Sequence, residues 1–241
     1  MARGKKESPT RIAIIEHAFE MFFDIGFSQT TAAALSKAVG ISKGNLTFYF
    51  PTKEHILDEL VKMLCAFQWK VMEEATDEGT SSLLAYCLEL TTMAAISEEY
   101  PNMRDFYLSS YSHPLTLDNI RRNDVKKLKQ VFGTYCKGWT EDQFIEAEHL
   151  ISGIEYATLM TTEQSPTLPI RIQGALNSIM LLFGVPDELR QTKIAKVLVM
   201  DYRAIGRRMF TEFKAFTRQE NERAINELLV AYNLNIMSNP T

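Results

Sequence analysis

The sequence predicts an all-α fold, in which a three-helix head with a helix-turn-helix precedes a larger helical body. Apolar residues recur every three or four positions along most of the 241 residues, which is the period of a helix buried on one face. Helix-start patterns precede several of these segments, among them Ser8-Pro9 and Thr140-Glu141-Asp142-Gln143. Between residues 30 and 53, two short amphipathic segments are separated by Gly40, as in two helices joined by a tight turn.

Composition argues against several classes of protein. Hydrophobic residues make up 46% of the chain and charged residues 23%, as in ordinary globular proteins. No apolar run approaches the ~18–20 residues of a membrane span, and the N-terminus lacks the apolar stretch of a signal peptide. The three cysteines, Cys65, Cys87 and Cys136, are odd in number and widely spaced, which favours reduced thiols in a cytoplasmic protein.

Charge is unevenly distributed along the chain, whose net charge is −4. Residues 1–53 hold seven Lys or Arg and four Asp or Glu, a net charge of +3. The remaining residues hold 19 basic and 26 acidic side chains, a net charge of −7. A small basic head on an acidic body fits a protein that contacts nucleic acid with one end only.

Local signals predict the bounds of the three head helices. The first begins at Ser8-Pro9 and ends at Ile25, before Gly26. The second covers residues 31–39 and ends at Gly40, because glycine adopts a positive φ readily. Ser42 is a good N-cap for the third helix, residues 42–48, since its hydroxyl can bond the unpaired amides of the first turn. In a helix-turn-helix, this last helix enters the DNA major groove.

An ordered series of residues runs through these helices: Ile15, Ala18, Phe19, Phe22, Gly26-Phe27, Thr30-Thr31, Leu35, Val39-Gly40-Ile41-Ser42, Gly44-Asn45-Leu46, Tyr49-Phe50, Lys53-Glu54 and Leu57. With this series, residues 11–57 resemble the N-terminal DNA-binding domain of the TetR family of bacterial transcriptional regulators. The resemblance implies a homodimer that binds a palindromic operator in double-stranded DNA and is released by a small-molecule effector, without a cofactor. Repression is the usual outcome in that family.

Ten residues are predicted to contact DNA. Lys43, Asn45 and Thr47 are the candidates for base edges, because Lys can bond guanine, Asn adenine, and the Thr methyl can touch thymine. The resemblance assigns Tyr49 and Lys53 to phosphates, and the family usually has Tyr where this chain has Thr47. A capping threonine could meet a phosphate or cap alone, and Phe48 could pack in the head or lie against a sugar or a thymine methyl. The full set is Thr30, Thr31, Ser42, Lys43, Gly44, Asn45, Thr47, Phe48, Tyr49 and Lys53.

The body is predicted to be a series of amphipathic helices, and we expect a head of residues 1–53 and a body of residues 54–241. The fourth helix runs from Pro51-Thr52 to about residue 75 and is long enough to belong to both. A basic run between Arg121 and Lys129 is interpreted as the solvated face of a helix. Further helices are expected near residues 82–97, 102–112, 116–136, 140–162, 170–183, 187–216 and 217–233.

A ligand pocket is expected between the body helices, where helical proteins usually form one. Aromatic and methionine side chains would suit an apolar or flat ligand, although each also fits an ordinary core. These candidates are Trp69, Tyr86, Met93, Met103, Phe106, Tyr107, Tyr111, Trp139 and Tyr156. The apolar helices near 140–162 and 170–183 are expected to form a dimer interface, with a plain core as the alternative.

The sequence contains no catalytic constellation. The four histidines and three cysteines lack metal-ligand spacing, and neither a phosphate-binding glycine loop nor a serine nucleophile elbow is present. We therefore predict neither an enzyme nor a metal site. The alternative to a DNA-binding regulator is a helical module that binds a ligand or a protein and does not read DNA.

Overall fold

Helices dominate the computed structural model, which describes residues 8–76, 78, 82–217 and 223. Over these residues the chain forms eleven helices and no strand. They are α1 Pro9–Asp24, α2 Ala32–Val39, α3 Lys43–Tyr49, α4 Lys53–Glu74, α5 Leu83–Glu99, α6 Pro101–Ser112, α7 Pro114–Phe132, α8 Glu141–Leu159, α9 Leu168–Leu182, α10 Asp187–Val199 and α11, residues 202–217. The predicted all-α fold is confirmed.

Side-chain caps define the three helices of the head, α1 to α3. Ser8, Thr31 and Ser42 each accept a hydrogen bond at the side-chain oxygen from the backbone amide three residues ahead, at 3.1–3.2 Å. Such a cap satisfies one of the free amides at a helix start and is worth about 1 kcal/mol. Gly40 ends α2 at φ 74°, a conformation that glycine adopts without strain. The predicted helix starts and the turn are therefore confirmed.

The head has an aromatic core of its own. Phe22 and Phe27 are fully buried and meet edge to face, with ring centroids 5.0 Å apart. Leu35 of α2 and Leu46 of α3 are buried against the same core. Each of the two short helices thus contributes a buried leucine to the head, and the rest of α3 stays exposed except for the half-buried Tyr49.

The body is arranged around α5. Every residue of α5 from Leu83 to Ser97 is buried, and α4, α6, α8, α9 and α10 pack around it. A helix that is buried on all sides lies at the centre of a bundle. The 22-residue α4 leaves the head and packs against α5 and α7, so it belongs to both parts as expected.

The head joins the body mainly through α6 and α11. Phe23 of α1 stacks on Phe106 of α6 with ring centroids 4.8 Å apart, and Phe213 of α11 lies 5.6 Å from Phe19. Asn102 of α6 donates a hydrogen bond to the Asp24 carbonyl at 2.9 Å. These contacts fix one face of α1 against the body.

A carboxylate of α6 holds the turn between α1 and α2. Asp105 accepts hydrogen bonds from the backbone amide of Ser28, at 2.7 Å, and from the Ser28 hydroxyl. Gly26 passes close to it at φ 106°, where an added Cβ would lie 3.1 Å from the Asp105 carboxylate. The turn therefore requires glycine both for its backbone conformation and for this close approach.

The predicted single helix over residues 187–216 is wrong. Met200 is extended, with ψ 153°, and separates α10 from α11. Asp201 then accepts a hydrogen bond from the Ala204 amide at 3.1 Å, as an N-cap does. The apolar spacing continues across this break, which concealed it in the sequence. The last expected helix falls mostly at residues 218–233, outside the described residues except for residue 223.

None of the described helices combines the length and the apolarity needed to cross a membrane.

Replacing Asp105 by Ala should loosen the head. The Ser28 amide loses a charged acceptor, an interaction worth about 1.5–3 kcal/mol, so its hydrogen exchange should accelerate roughly tenfold or more. Exchange within α5 should not change. Asp118→Ala, which removes an exposed carboxylate from α7, is the matched control. Equal exchange at Ser28 in the wild type and the Asp105 variant would contradict this role for α6.

Candidate nucleic-acid interface and ligand cavity

The outer face of α3 presents polar side chains to solvent. Lys43, Asn45 and Thr47 are exposed, whereas Leu46 between them is buried in the head. Phe48 is 56% exposed, a large apolar surface for a ring beside polar residues. This face therefore combines an ammonium, an amide and an aromatic ring, which are groups that meet base edges and sugars in DNA complexes.

The N-termini of α2 and α3 contribute further polar groups to this region. The Thr31 hydroxyl caps α2 and the Ser42 hydroxyl caps α3, and both residues are exposed. Gly44 lies in the first turn of α3 and leaves the backbone there open. The Thr47 hydroxyl already donates to the Lys43 carbonyl at 2.6 Å, so it offers only its lone pairs to an outside partner.

Thr30 and Lys53, two of the ten predicted DNA contacts, bond to the turn after α1. Thr30 is 2% exposed, and its hydroxyl donates to the Gly26 carbonyl at 2.7 Å. The ammonium of Lys53 donates to the Phe27 and Thr30 carbonyls at 2.7 and 3.0 Å and lies over the Phe27 ring. Both side chains thus stabilise the turn after α1. The sequence analysis considered these two residues from their local pattern alone. Their partners are carbonyl groups of the turn after α1, whose shape the pattern did not predict.

Tyr49 closes the edge of the predicted surface. Its side chain is half-buried and its ring meets that of Phe48 edge to face, with centroids 5.2 Å apart. Ala32, the first residue of α2, and Lys43 and Thr47 of α3 line one pocket, so the start of α2 lies beside α3, while Thr30 is turned inward. Contact of these residues with DNA stays a prediction.

A cavity lies in the body between α4, α5, α6, α7 and α8. It encloses about 530 Å³ of space free of protein atoms, part of it open to solvent. Five of the nine predicted ligand-binding residues line it: Tyr86, Met93, Phe106, Tyr107 and Tyr111. The predicted use of aromatic side chains between helices therefore coincides with an actual cavity, while ligand binding itself stays a prediction.

The other four candidates do not line this cavity. Trp69 lies just outside it, with the Lys127 ammonium 5.2 Å from its ring centroid. Met103 is buried in the core, and Trp139 packs against Phe183 with ring centroids 5.6 Å apart. Tyr156 lines a separate, more open cleft with His149 and Arg121. Aromatic character alone could not separate lining residues from core residues.

A polar network inside the cavity was missed by the sequence analysis. Lys127 donates to Glu89 at 2.7 Å and lies 3.1 Å from Asp124. Gln68 links Glu89, at 3.2 Å, to the hydroxyl of Tyr107, at 3.0 Å. The signal for this network was Glu89, a single carboxylate within the apolar segment from Leu83 to Ile96.

Glu155 of α8 completes the network from the opposite side. It accepts hydrogen bonds from the Tyr86 and Tyr111 hydroxyls at 3.3 and 2.8 Å and is 8% exposed. The prediction that Lys127 belongs to a solvated face of α7 is wrong, because its ammonium group lies inside the cavity rather than in solvent. A helical period could not reveal this, because Lys127 is flanked by charged residues in the sequence.

Burial and charge together set the protonation of these groups. Burial raises the pKa of Glu155 to about 8; the Asp124 carboxylate adds to the rise, whereas Lys127 and the Tyr111 hydroxyl oppose it. Burial also raises the pKa of Glu89, against the attraction of Lys127. For Lys127, burial alone would lower the pKa, but Asp124 and Glu89 raise it well above the ordinary value. The ammonium is therefore charged at neutral pH, and Glu155 carries a proton below about pH 8.

A further buried carboxylate, Glu148 of α8, lies next to His149 and Arg121, which line the open cleft. Glu148 is 1% exposed, and the Arg121 Nε lies 3.3 Å from one of its carboxylate oxygens. Burial raises its pKa to about 7, with Asp124 adding to the rise and Arg121, 3.3 Å away, opposing it. Over the described residues, no group of three or more His, Cys, Asp or Glu side chains is arranged to hold a metal ion.

Comparison with known proteins identifies the head. Residues 14–60 match the family model described as bacterial regulatory proteins, tetR family. The HTH-type transcriptional regulator RutR of Escherichia coli K12 is 25% identical over 169 residues, which cover 68% of this chain and 79% of RutR. The chain is therefore similar to bacterial transcriptional regulators of the tetR family, and the family-model match lies within residues 14–60. The uncharacterized HTH-type transcriptional regulator YuxN of Bacillus subtilis is 24% identical over 139 residues, 54% of this chain and 48% of YuxN.

One solved structure of a TetR-family repressor shares the fold of this chain. The FadR repressor of Thermus thermophilus, in complex with lauroyl-CoA, superposes with a TM-score of 0.51 at 18% identity, over 70% of this chain and 93% of FadR. CprB of Streptomyces coelicolor A3(2) gives a TM-score of 0.45 at 19% identity, over 84% of this chain and 98% of CprB. At 18% identity, the comparison with FadR concerns the fold alone. The relatives are DNA-binding regulators of transcription rather than enzymes.

The stability of the protein should fall as pH rises from about 5 to 8, in part because of Glu155. The pKa of Glu155 is higher in the folded than in the unfolded state. The stabilisation that this proton provides is therefore complete below pH 4.3, about the pKa of a glutamate in the unfolded chain, and it disappears as the pH rises to about 8. One such group changes stability by about 1.4 kcal/mol per pH unit in that window.

Urea unfolding across this pH range checks the expectation. Glu155→Gln keeps an acceptor for the tyrosines and should flatten the pH dependence, whereas Glu74→Gln, at an exposed site of α4, should not. An unchanged slope in the Glu155 variant would show that this carboxyl does not titrate as described.

Proposed function

We propose that this regulator is a homodimeric repressor that binds a palindromic DNA operator and is released when a small molecule occupies the body cavity. The head, residues 1–53, would read DNA, and the body, residues 54–241, would bind the ligand and the second subunit. One observation supports the link between the two activities above all others. Phe106 lines the cavity and stacks on Phe23 of the head, so a ligand in the cavity would touch a ring that contacts the DNA-binding unit.

In this proposal α3 enters the major groove of DNA. Lys43 and Asn45 would reach base edges, as ammonium and amide groups do with guanine and adenine. Thr31, Ser42 and the free amides at the starts of α2 and α3 would meet phosphates, because a helix N-terminus favours an anion. Gly44 would allow the sugar-phosphate backbone to approach closely. Phe48 and Tyr49 would pack against sugars at the edge of the groove.

The outer faces of α8 and α9 support a dimer. On α9 the exposed positions Ile170, Gly174, Ser178 and Leu181 follow a helical spacing and carry no charge. On α8, Ile145, Leu150 and Gly153 are also exposed, and nothing lies within 4 Å of a Cβ added at either glycine. On α9 these uncharged positions with small residues would let two copies of the helix approach closely, and burial of their apolar surface is favourable.

Helix α6 supports transmission from the cavity to the head. Asn102 and Asp105 bond the end of α1 and the following turn, while Tyr107 and Tyr111, on the same helix, line the cavity. A shift of α6 by a ligand would therefore move the turn that positions α2 and α3. The ligand would act by favouring one of two head positions, and only the other would fit an operator with fixed half-site spacing.

The DNA-binding proposal can be tested by selecting bound sequences from random DNA and measuring affinities by fluorescence anisotropy. Asn45→Ala should relax the preference at one base pair in each half-site, at a cost of about 1–3 kcal/mol. Lys43→Ala should weaken binding as well. Lys70→Ala, which removes an exposed ammonium from α4 of the body, should leave the affinity unchanged. If no sequence is enriched, the protein is instead a helical module that does not read DNA.

The dimer proposal can be tested by placing a charge on the α9 face. Gly174→Glu should convert the dimer to a monomer, because two carboxylates would be buried at the interface. The monomer should remain folded, since a side chain there meets no atom and Glu favours a helix more than Gly does. Sedimentation equilibrium measures the change, with Gln130→Glu on the exposed face of α7 as control. A Gly174 variant that stays dimeric would place the interface elsewhere.

A further inference from the structure

The body cavity contains more buried acids than bases. Glu89, Asp124 and Glu155 line it, and Lys127 is its one basic lining residue among those described. Lys127 lies between Glu89, at 2.7 Å, and Asp124, at 3.1 Å, and so already serves two carboxylates. With every group ionised, the cavity would carry a net charge of −2.

Glu155 has no cationic partner. Its hydrogen-bond donors are the hydroxyls of Tyr86 and Tyr111, and no described basic side chain lies within ion-pair distance of it. A buried carboxylate without a counter-charge is unfavourable, and it avoids the cost by binding a proton. The fold thus buries a carboxyl group that a bound cation could neutralise.

Aromatic rings line the space beside this carboxyl group. Tyr86, Tyr107, Tyr111 and Phe106 contribute to the wall, and Leu90 adds apolar surface. The faces of aromatic rings attract a cation, and the attraction grows when water is excluded. The same rings accept an apolar or flat group. The cavity between the helices, its aromatic wall and the carboxyl group without a cationic partner are separate observations that favour the same kind of ligand.

An anionic ligand fits this cavity poorly. Its one candidate partner among the lining residues, Lys127, would have to leave Glu89 or Asp124, and that carboxylate would remain buried without a partner. The anion would also face the three acidic side chains at close range. A neutral ligand would leave the charge imbalance as it is.

We propose that the ligand of this cavity is an organic cation, a protonated amine carried on an apolar or aromatic group, with Glu155 as its counter-ion and the tyrosine rings around it. This assignment rests on the proposed function of the cavity as the effector site, and it defines the chemical class of the effector. The amine would donate to the Glu155 carboxylate, and its apolar part would contact Phe106, the ring that stacks on the head.

Such a ligand would displace a proton. Glu155 is protonated below about pH 8 in the empty cavity, and a bound ammonium would favour its ionised form. Binding should therefore release a proton and tighten as pH rises towards 8, as long as the amine stays protonated. The charged and titratable groups that face Glu155 are Cys65 of α4, Tyr86 and Glu89 of α5, Tyr111 of α6, and Asp124 and Lys127 of α7.

Calorimetric titration of the full chain without DNA tests the proposal. The probes are phenylalkylamines of increasing chain length, each with the alcohol and the carboxylate of the same length. At least one amine should bind at least about tenfold more tightly than its alcohol, and its carboxylate should bind more weakly still. Titrations in buffers of different ionisation enthalpy should reveal proton release between about pH 6 and pH 8.

Two variants separate charge recognition from packing. Glu155→Gln retains the acceptor for the tyrosines but should weaken amine binding at least about tenfold and abolish proton release, while leaving alcohol binding unchanged. Glu74→Gln, outside the cavity, should behave as the wild type. The proposal is overturned if alcohols or carboxylates bind as tightly as amines, if no probe binds, or if the Glu155 variant retains wild-type amine affinity.

The result is distinguishable from a failure of the proposed function. Amine binding is measured without DNA, and operator binding is measured without ligand. If an amine binds but does not lower operator affinity, the ligand class stands and the release mechanism fails. If an operator is bound and released by a carboxylate, the regulatory function stands and the cationic assignment fails.

Discussion

The stacking of Phe23 on Phe106 is the contact on which the union of the two halves depends. One ring belongs to the first helix of the head, and the other lines the cavity of the body. Hydrogen bonds from Asn102 and to Asp105 keep α6 in register with the head around this stack. Closely packed rings cannot deform continuously. A displacement of Phe106 on the cavity side would therefore move Phe23 and α1 by a discrete step.

The cavity shows how the same buried charges affect stability and recognition. Desolvation of Glu155 and Asp124 costs free energy in the empty protein, and a hydrophobic lining would avoid that cost. The arrangement is therefore poor as a core and well suited to a binding site. Tyr86 and Tyr111 keep Glu155 hydrogen-bonded in either protonation state, so the carboxyl group remains oriented whether or not it is charged.

Sequence patterns predicted those features whose causes are local. Ser8, Thr31 and Ser42 bond amides three residues away, so their caps could be recognised without knowledge of the fold. The exposed face of α3 follows from the same local period. Lys53, by contrast, bonds carbonyls more than twenty positions earlier, and Lys127 faces a carboxylate on another helix. Such residues look like solvated cations until packing assigns their partners, and the break at Asp201 was likewise concealed by uninterrupted apolar spacing.

The contact between α1 and α11 joins the beginning of the chain to residues near its other end. Phe213 covers Phe19, and Lys214 lies 3.8 Å from Asp24. During synthesis α1 is made well before α11, so the aromatic face of α1 lacks this cover until Phe213 has been made. Contacts of such long sequence separation close late in folding. The helix that begins the proposed DNA-binding head is thus translated well before the helix that completes its packing, so the head would reach its final packing only after α11 has folded against it.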